Sequence, residues 1–203
     1  SIENQTYFIN NDNYEVLIGV DACEETLQKI LEIRYGYRNI RVFMMKENRG
    51  TYITTNTLLD LVKYDNVLRF DSDDIMCPEM VEEMIQYVDE AEIIRCKYYS
   101  YNSATKQSLY ENIYFHNGIV MFKTIVFETC GGYQPWVCSA DTELLRRATA
   151  VFNEKLVNKY LFYYRKHGGS LTNNVDMRIR VGYHRQMNNE TKINRVVNEY
   201  YEK

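Results

Sequence analysis

The sequence is poor in the residues that punctuate or cross-link a chain. It has 2 prolines, 9 glycines and 1 tryptophan in 203 residues, and neither a low-complexity linker nor an internal repeat interrupts it. Its five cysteines (Cys23, Cys77, Cys96, Cys130, Cys138) are odd in number and contain no Cys-x-x-Cys. That argues against a zinc site or a disulfide framework, and for reduced thiols in a cytoplasmic protein. Only Cys130 and Cys138 are spaced to close a small loop under oxidation. No apolar run approaches the roughly 18 to 20 residues that cross a bilayer, and no signal-peptide pattern is present. Basic charge is also in deficit: 24 Lys+Arg against 28 Asp+Glu leave a net charge of −4. A general nucleic-acid footprint is thereby excluded, because phosphate backbones select basic surfaces.

A hydrophobic fraction of 45% and a charged fraction of 26% are those of a globular protein long enough to bury one continuous core. The 19 tyrosines join an apolar ring to a hydroxyl, which suits amphipathic packing and partly wet, sugar-stacking clefts alike. The chain opens on Ser1 instead of methionine, as a trimmed start would.

Apolar runs with β-branched residues predict buried strands over Glu15 to Val20, Ile40 to Met45 and Val67 to Phe70. Helical spacing predicts helices over Glu24 to Tyr35, Thr51 to Val62 and Pro78 to Asp89. Strand and helix alternate, which predicts right-handed crossovers and a parallel, doubly wound α/β sheet. In such sheets ligands bind outside the carboxyl ends of the strands. Asp21, the turn Lys46 to Gly50 and the run Asp71 to Asp74 all fall at those ends. Further on, strands are expected over Glu92 to Tyr99, Leu109 to Phe122 and Leu161 to Tyr164. A polar turn at Asn102 to Lys106 separates the first two. Helices are expected over Thr124 to Thr129 and Ala140 to Val151, with a polar helical segment from Asp176 onward.

Asp71-Ser72-Asp73-Asp74 places three carboxylates in four residues, directly after an apolar strand. A helix–loop–helix calcium site fails, because Met76 stands where the loop needs glycine and Ile75 offers no side-chain oxygen. A solvated turn at a helix start remains open. So does an Asp-x-Asp site, whose carboxylates hold magnesium or manganese against a diphosphate.

The order of motifs resembles the family-2 glycosyltransferases of the GT-A fold. Ser1 to Tyr7 resembles the end of that family's first helix. Glu15 to Asp21, with Glu25-Thr26, resembles its second strand and nucleotide-binding aspartate. Glu47-Asn48-Arg49-Gly50 followed by Asn56 is similar to its turn-and-helix signature, and Phe70-Asp71-Ser72-Asp73-Asp74 to its Asp-x-Asp signature. Gly131-Gly132-Tyr133, Ala140-Asp141-Thr142-Glu143-Leu144 with Arg146 or Arg147, and Tyr164-Arg165-Lys166-His167-Gly168-Gly169-Ser170-Leu171 are similar to its acceptor half. The family's first strand and the start of its first helix have no counterpart here. Ala22-Cys23-Glu24 replaces the usual Asp-Gly-Ser, and Ala140 replaces the first of two acidic residues.

The resemblance implies a Rossmann-like, three-layer sandwich with a mixed, mainly parallel central sheet. Residues 1–203 would form one domain: a nucleotide-binding half over 1–89, an acceptor and catalytic half over 90–172, and a C-terminal helical segment over 173–203. It also implies inverting transfer of a hexosyl group from a nucleotide-diphosphate sugar to a glycan hydroxyl, with Mn2+ or Mg2+ as cofactor. Asp141 is the implied general base; its other reading is an aspartate that favours a helix N-terminus. Asp21, Arg49, Asp71, Ser72 and Asp73 would hold the nucleotide sugar, and Asp73, Asp71 and His167 the metal. Asp74 would orient the site from behind, with Arg165 and Lys166 as further candidates to offset diphosphate charge. An aspartate at position 21 suits the imide N–H of uracil, so a UDP-sugar is the favoured donor. His116, Tyr133 and Trp136 are candidates for the sugar and acceptor walls. A nucleotidyltransferase of related fold and an inactive sugar-binding module are the competing readings. The chain is similar in size to glycosyltransferase domains that large DNA viruses use on capsid glycans, and to bacterial surface-polysaccharide enzymes.

Overall fold

The computed structural model describes residues 1–9, 11–33, 39–102, 108–168, 176–186 and 192–203. The helix end at Tyr35, most of the turn from Asn102 to Lys106, and Gly169-Ser170-Leu171 lie outside them. After a 3-10 turn at Ile2–Asn4 come α1 (Thr6–Ile9), β1 (Val16–Val20), α2 (Glu24–Ile33), β2 (Ile40–Met45), α3 (Thr51–Leu59), β3 (Asn66–Arg69), β4 (Ile75–Met76) and α4 (Met80–Ile85). The second half holds β5 (Ile93–Asn102), β6 (Ser108–Phe115), β7 (Val120–Lys123), α5 (Thr124–Cys130), α6 (Ala140–Thr149) and β8 (Glu154–Lys166). The chain then forms α7 (Met177–Gln186) and β9 (Tyr200–Glu202).

The sheet is mixed. β1 and β2 pair in parallel, and β9 adds antiparallel to the outer edge of β2. A six-stranded sheet runs β3-β7-β5-β8-β4, with β6 on β5. There β5 and β8 are parallel, while β3 and β7 are antiparallel. The three early strands therefore do not form one continuous parallel sheet among the described residues. Three further expectations change. The stretch from Leu109 to Phe122 is two strands broken at His116-Asn117-Gly118. The strand expected at Leu161 to Tyr164 extends to 13 residues. The C-terminal segment is not wholly helical, because β9 ends it on the sheet.

Both faces of the larger sheet are covered. Ile93, Val120 and Phe122 meet Leu144 and Ala148 of α6 on one side. Their chain neighbours Ile94 and Met121 meet Met80 and Met84 of α4 on the other. This two-residue alternation is the three-layer sandwich in its smallest form. Each large side chain so buried contributes about 1.5–3 kcal/mol.

A slot separates the two sheets. The Val16 N–H donates to the Asn39 carbonyl (2.8 Å), so Leu17 and Gly19 turn their backbone groups away from β2. The Thr124 N–H donates to the Asp65 carbonyl (2.7 Å), so Asn66 and Leu68 turn theirs away from β7. Among the described residues no strand pairs with either edge. The Asn66 Oδ1 is likewise buried without a partner.

Candidate active site

The slot widens at its carboxyl end into a cleft; together they enclose about 1690 Å³. The cleft takes in the 71–74 turn, His116, Asp141, Tyr164 and Arg165. Its three adjacent aspartates have different environments. Asp71 is gripped by Arg69, with Nη2 2.7 Å from Oδ1 and Nη1 3.2 Å from Oδ2. Asp74 is 7% exposed, and its Oδ1 accepts the Arg165 N–H at 2.8 Å, which ties the turn to β8. Burial pushes the Asp74 carboxyl up to about 7, with the Asp73 and Asp71 charges adding to the rise and the Arg165 N–H opposing it. Asp73 faces His167, Oδ2 to Nε2 at 2.8 Å. Ser72 is exposed.

Arg69, which the sequence reading passed over, is the hub. Its guanidinium donates to the Gly118 carbonyl at 2.6 Å and lies 5.6 and 5.7 Å from the ring centres of Tyr52 and Tyr133. Burial alone would lower its pKa; the Asp71 charge, with Tyr133, Tyr52 and Asp141, more than offsets that. Across from it Asp141 occupies the first turn of α6, where Oδ1 accepts the Thr142 N–H at 2.7 Å. Its other oxygen turns to Gly118. A methyl group on Gly118 would stand 2.9 Å from Asp141 Oδ2, 3.2 Å from Arg69 Nη1 and 3.3 Å from His116 Cε1. Three polar side chains thus converge on one glycine, and the absent side chain gives them room.

The remaining expected residues divide. Asp21 receives the N–H groups of Arg49 (3.0 Å) and Gly50 (2.8 Å) and the Thr54 hydroxyl (3.2 Å). It thereby joins the end of β1 to the start of α3, where Gly50 has φ 88°. The Arg49 guanidinium is not among the groups lining the cleft; it donates to the Val197 carbonyl (3.3 Å). Tyr133 does border the cleft, but from within the core: it is 1% exposed, with its ring near Arg69. Trp136 stacks on Tyr183 of α7, centroids 4.7 Å apart and planes 6° from parallel, so one face of that ring is already covered. His116 does line the cleft.

The Gly131-Gly132-Tyr133 turn is clamped by a buried pair in α6. Arg147 binds Glu143 through Nε (2.5 Å) and Nη2 (2.7 Å), and donates to the carbonyls of Cys130 (2.6 Å) and Gly132 (2.7 Å). Buried Asn56 bonds the N–H (2.9 Å) and C=O (2.8 Å) of Tyr133 and the carbonyl of Val196 (3.1 Å). These two motif residues hold the architecture around Asp141.

Among the described residues no three His, Cys, Asp or Glu side chains converge as a metal cage. The Asp73–His167 pair nevertheless has the separation of two adjacent ligands on one octahedral ion, which lie about 3 Å apart when each bond is about 2.1 Å. A carboxylate oxygen with an imidazole nitrogen suits manganese, and such a site would leave positions for phosphate oxygens and water.

Comparisons with known proteins bear on the family and the fold. The model of glycosyl transferase family 2 matches residues 1–147. The structure of S. aureus TarS with UDP-GlcNAc superposes with a TM-score of 0.73 at 15% identity, covering 87% of this chain and 56% of that one. The mannosyltransferase PcManGT from Pyrobaculum calidifontis, in complex with GDP-Man and Mn2+, gives 0.68 at 14% identity, with 84% and 52% covered. The chain thus spans about half the length of these structures, and the likeness is one of fold. No curated protein sequence matches it.

Proposed function

The chain belongs to glycosyl transferase family 2, and from that premise we propose that it is a metal-dependent, inverting glycosyltransferase that moves a hexosyl group from a nucleotide-diphosphate sugar to a glycan hydroxyl. The observation that carries this reading is the opposition, across one cleft, of the Asp71–Asp73 turn to Asp141. A UDP-sugar is the favoured donor, with Asp21 as the base-reading carboxylate; TarS is a neighbour bound to UDP-GlcNAc, and PcManGT one bound to GDP-Man and Mn2+.

Asp73 and His167 would hold the ion, with Asp71, already held by Arg69, reaching it through water. Bound manganese or magnesium would offset the charge of the departing diphosphate. Asp141 Oδ2 takes the proton of the acceptor hydroxyl as its oxygen attacks the anomeric carbon from the side opposite the diphosphate. Its Oδ1 stays fixed on the Thr142 N–H meanwhile. Residues 1–89 and 90–172 serve the donor and the acceptor within one domain. The slot between β1 and β3, where no described strand pairs with either edge, has the place of the strand that family members carry first. No helix among the described residues is long and apolar enough to cross a membrane, and all five cysteines are free, which supports a cytoplasmic setting.

Hydrolysis of UDP-sugars and GDP-mannose in the presence of manganese tests this reading. Turnover that EDTA removes, that Asp73→Ala abolishes and that Asp141→Asn lowers by about 100-fold or more is expected. Binding without turnover of any donor would make the chain a sugar-nucleotide-binding module.

A further inference from the structure

His116 sits at the notch where the chain leaves β6 and re-enters the sheet as β7. Its Nδ1 faces two backbone donors, the N–H groups of Gly118 (3.2 Å) and Ile119 (3.0 Å). A nitrogen that accepts two N–H groups carries no hydrogen, so the ring proton is on Nε2. The ring cannot readily turn to exchange them. Tyr98 and Phe162 stand edge-on to it at 5.0 and 5.4 Å, and Tyr164 is tilted against it at 5.4 Å. Burial also lowers its pKa, with the Arg69 and Arg95 charges adding to the fall and those of Asp71 and Asp141 opposing it. The two bonds to Nδ1 remove His116 as a general base, since its basic nitrogen is already used.

Among the described residues nothing accepts from Nε2, and that nitrogen is not one of the buried atoms left without a partner. The ring lines the cleft, and its Cε1, the carbon between the two ring nitrogens, lies 3.3 Å from where a methyl group on Gly118 would stand, with Asp141 Oδ2 2.9 Å from the same point. We propose that the Nε2–H of His116 is a fixed, uncharged hydrogen-bond donor to one hydroxyl oxygen of the transferred sugar, and so a determinant of which sugar is accepted. Its position supports a hydroxyl over a phosphate: the Asp73–His167 pair is assigned to the diphosphate, whereas His116 lies near the carboxylates of both Asp71 and Asp141, whose charge disfavours an anion there. A neutral N–H among aromatic rings also matches a sugar, whose C–H surfaces are apolar and whose hydroxyls accept. The inference rests on the glycosyltransferase reading.

The test uses UDP-glucose, UDP-N-acetylglucosamine, GDP-mannose and the 2-, 3-, 4- and 6-deoxy analogues of whichever is turned over. Wild-type protein is expected to lose about 10- to 100-fold in kcat/KM at one deoxygenated position, the worth of a hydrogen bond left unmade in a dry site. His116→Phe keeps a ring without the donor; it should lower kcat/KM for the full donor to the level of that analogue and erase discrimination at that position alone. His116→Gln, which restores an N–H, should recover part of both. Wild-type protein indifferent to every deoxy analogue overturns the inference without any variant, as does a His116→Phe loss equal across all donors. If wild-type protein turns over none of the nucleotide sugars, the glycosyltransferase reading itself fails.

Discussion

Replacing Arg69 by methionine tests whether the hub is as central as its contacts imply. The substitution preserves most of the volume and removes the charge, leaving Asp71 without its two hydrogen bonds and the Gly118 carbonyl without its donor. Breaking a buried ion pair by removing one partner costs about 3–5 kcal/mol. Here the Arg69 side chain is 8% exposed but that of Asp71 is 32%, so water can take up part of the abandoned carboxylate's charge. That discount moves the pair to about 2–3 kcal/mol, and the orphaned carbonyl restores about 1 kcal/mol, for a total near 3–4 kcal/mol. Urea unfolding in EDTA measures it, as a lower midpoint at unchanged slope. Arg69→Lys keeps the charge but loses the fork and should cost about half as much. In an Asp71→Asn background the penalty of Arg69→Met should shrink by at least about 1 kcal/mol, because the two residues are in contact. A methionine variant within about 1 kcal/mol of wild type, or strict additivity with Asp71→Asn, refutes the reasoning.

Gly118→Ala should lower kcat by about 100-fold in a steady-state transfer assay, because the added methyl displaces the Asp141 carboxylate; a change under about threefold would sink the idea. Asp74 has a folded pKa raised to about 7 from an ordinary 3.8, so its contribution to stability is full below that lower value and is lost as pH climbs through 7. Thermal melts in EDTA should therefore show Asp74→Asn gaining on wild type between pH 5 and 8; parallel curves would contradict this. Asn56→Ala removes three hydrogen bonds, two of them buried, and should cost about 2–4 kcal/mol, with faster amide exchange at Tyr133 as the local sign.

The acidic turn was legible because an apolar strand ended in charge, a contrast that no packing preference produces. Arg69 was not, since a lone basic residue in an apolar run reads as a strand edge. The signal was present in the spacing: residues two apart share a face of an extended chain, which puts Arg69 on the side of Asp71. Tyr133 and Trp136 show the limit for aromatics, whose composition does not say which faces are already covered; Tyr52 stacks on the first ring and Tyr183 on the second. β9 escaped because Tyr200-Tyr201-Glu202 has no apolar alternation. Its strand character comes from the edge of β2 and not from its own side chains.

Because Phe43 pairs with Glu202, the outer edge of β2 stays open during synthesis until nearly 160 further residues have left the ribosome. An uncovered edge is a template for pairing with other chains. The strap that closes it also holds the turn before α3, through Asn198 to the Glu47 carbonyl and Lys46 to Glu199. Nascent protein is thus most prone to aggregate in the same interval in which the turn before α3 is still unheld. A version cut before residue 192 is expected to partition into inclusion bodies while the intact chain stays in solution.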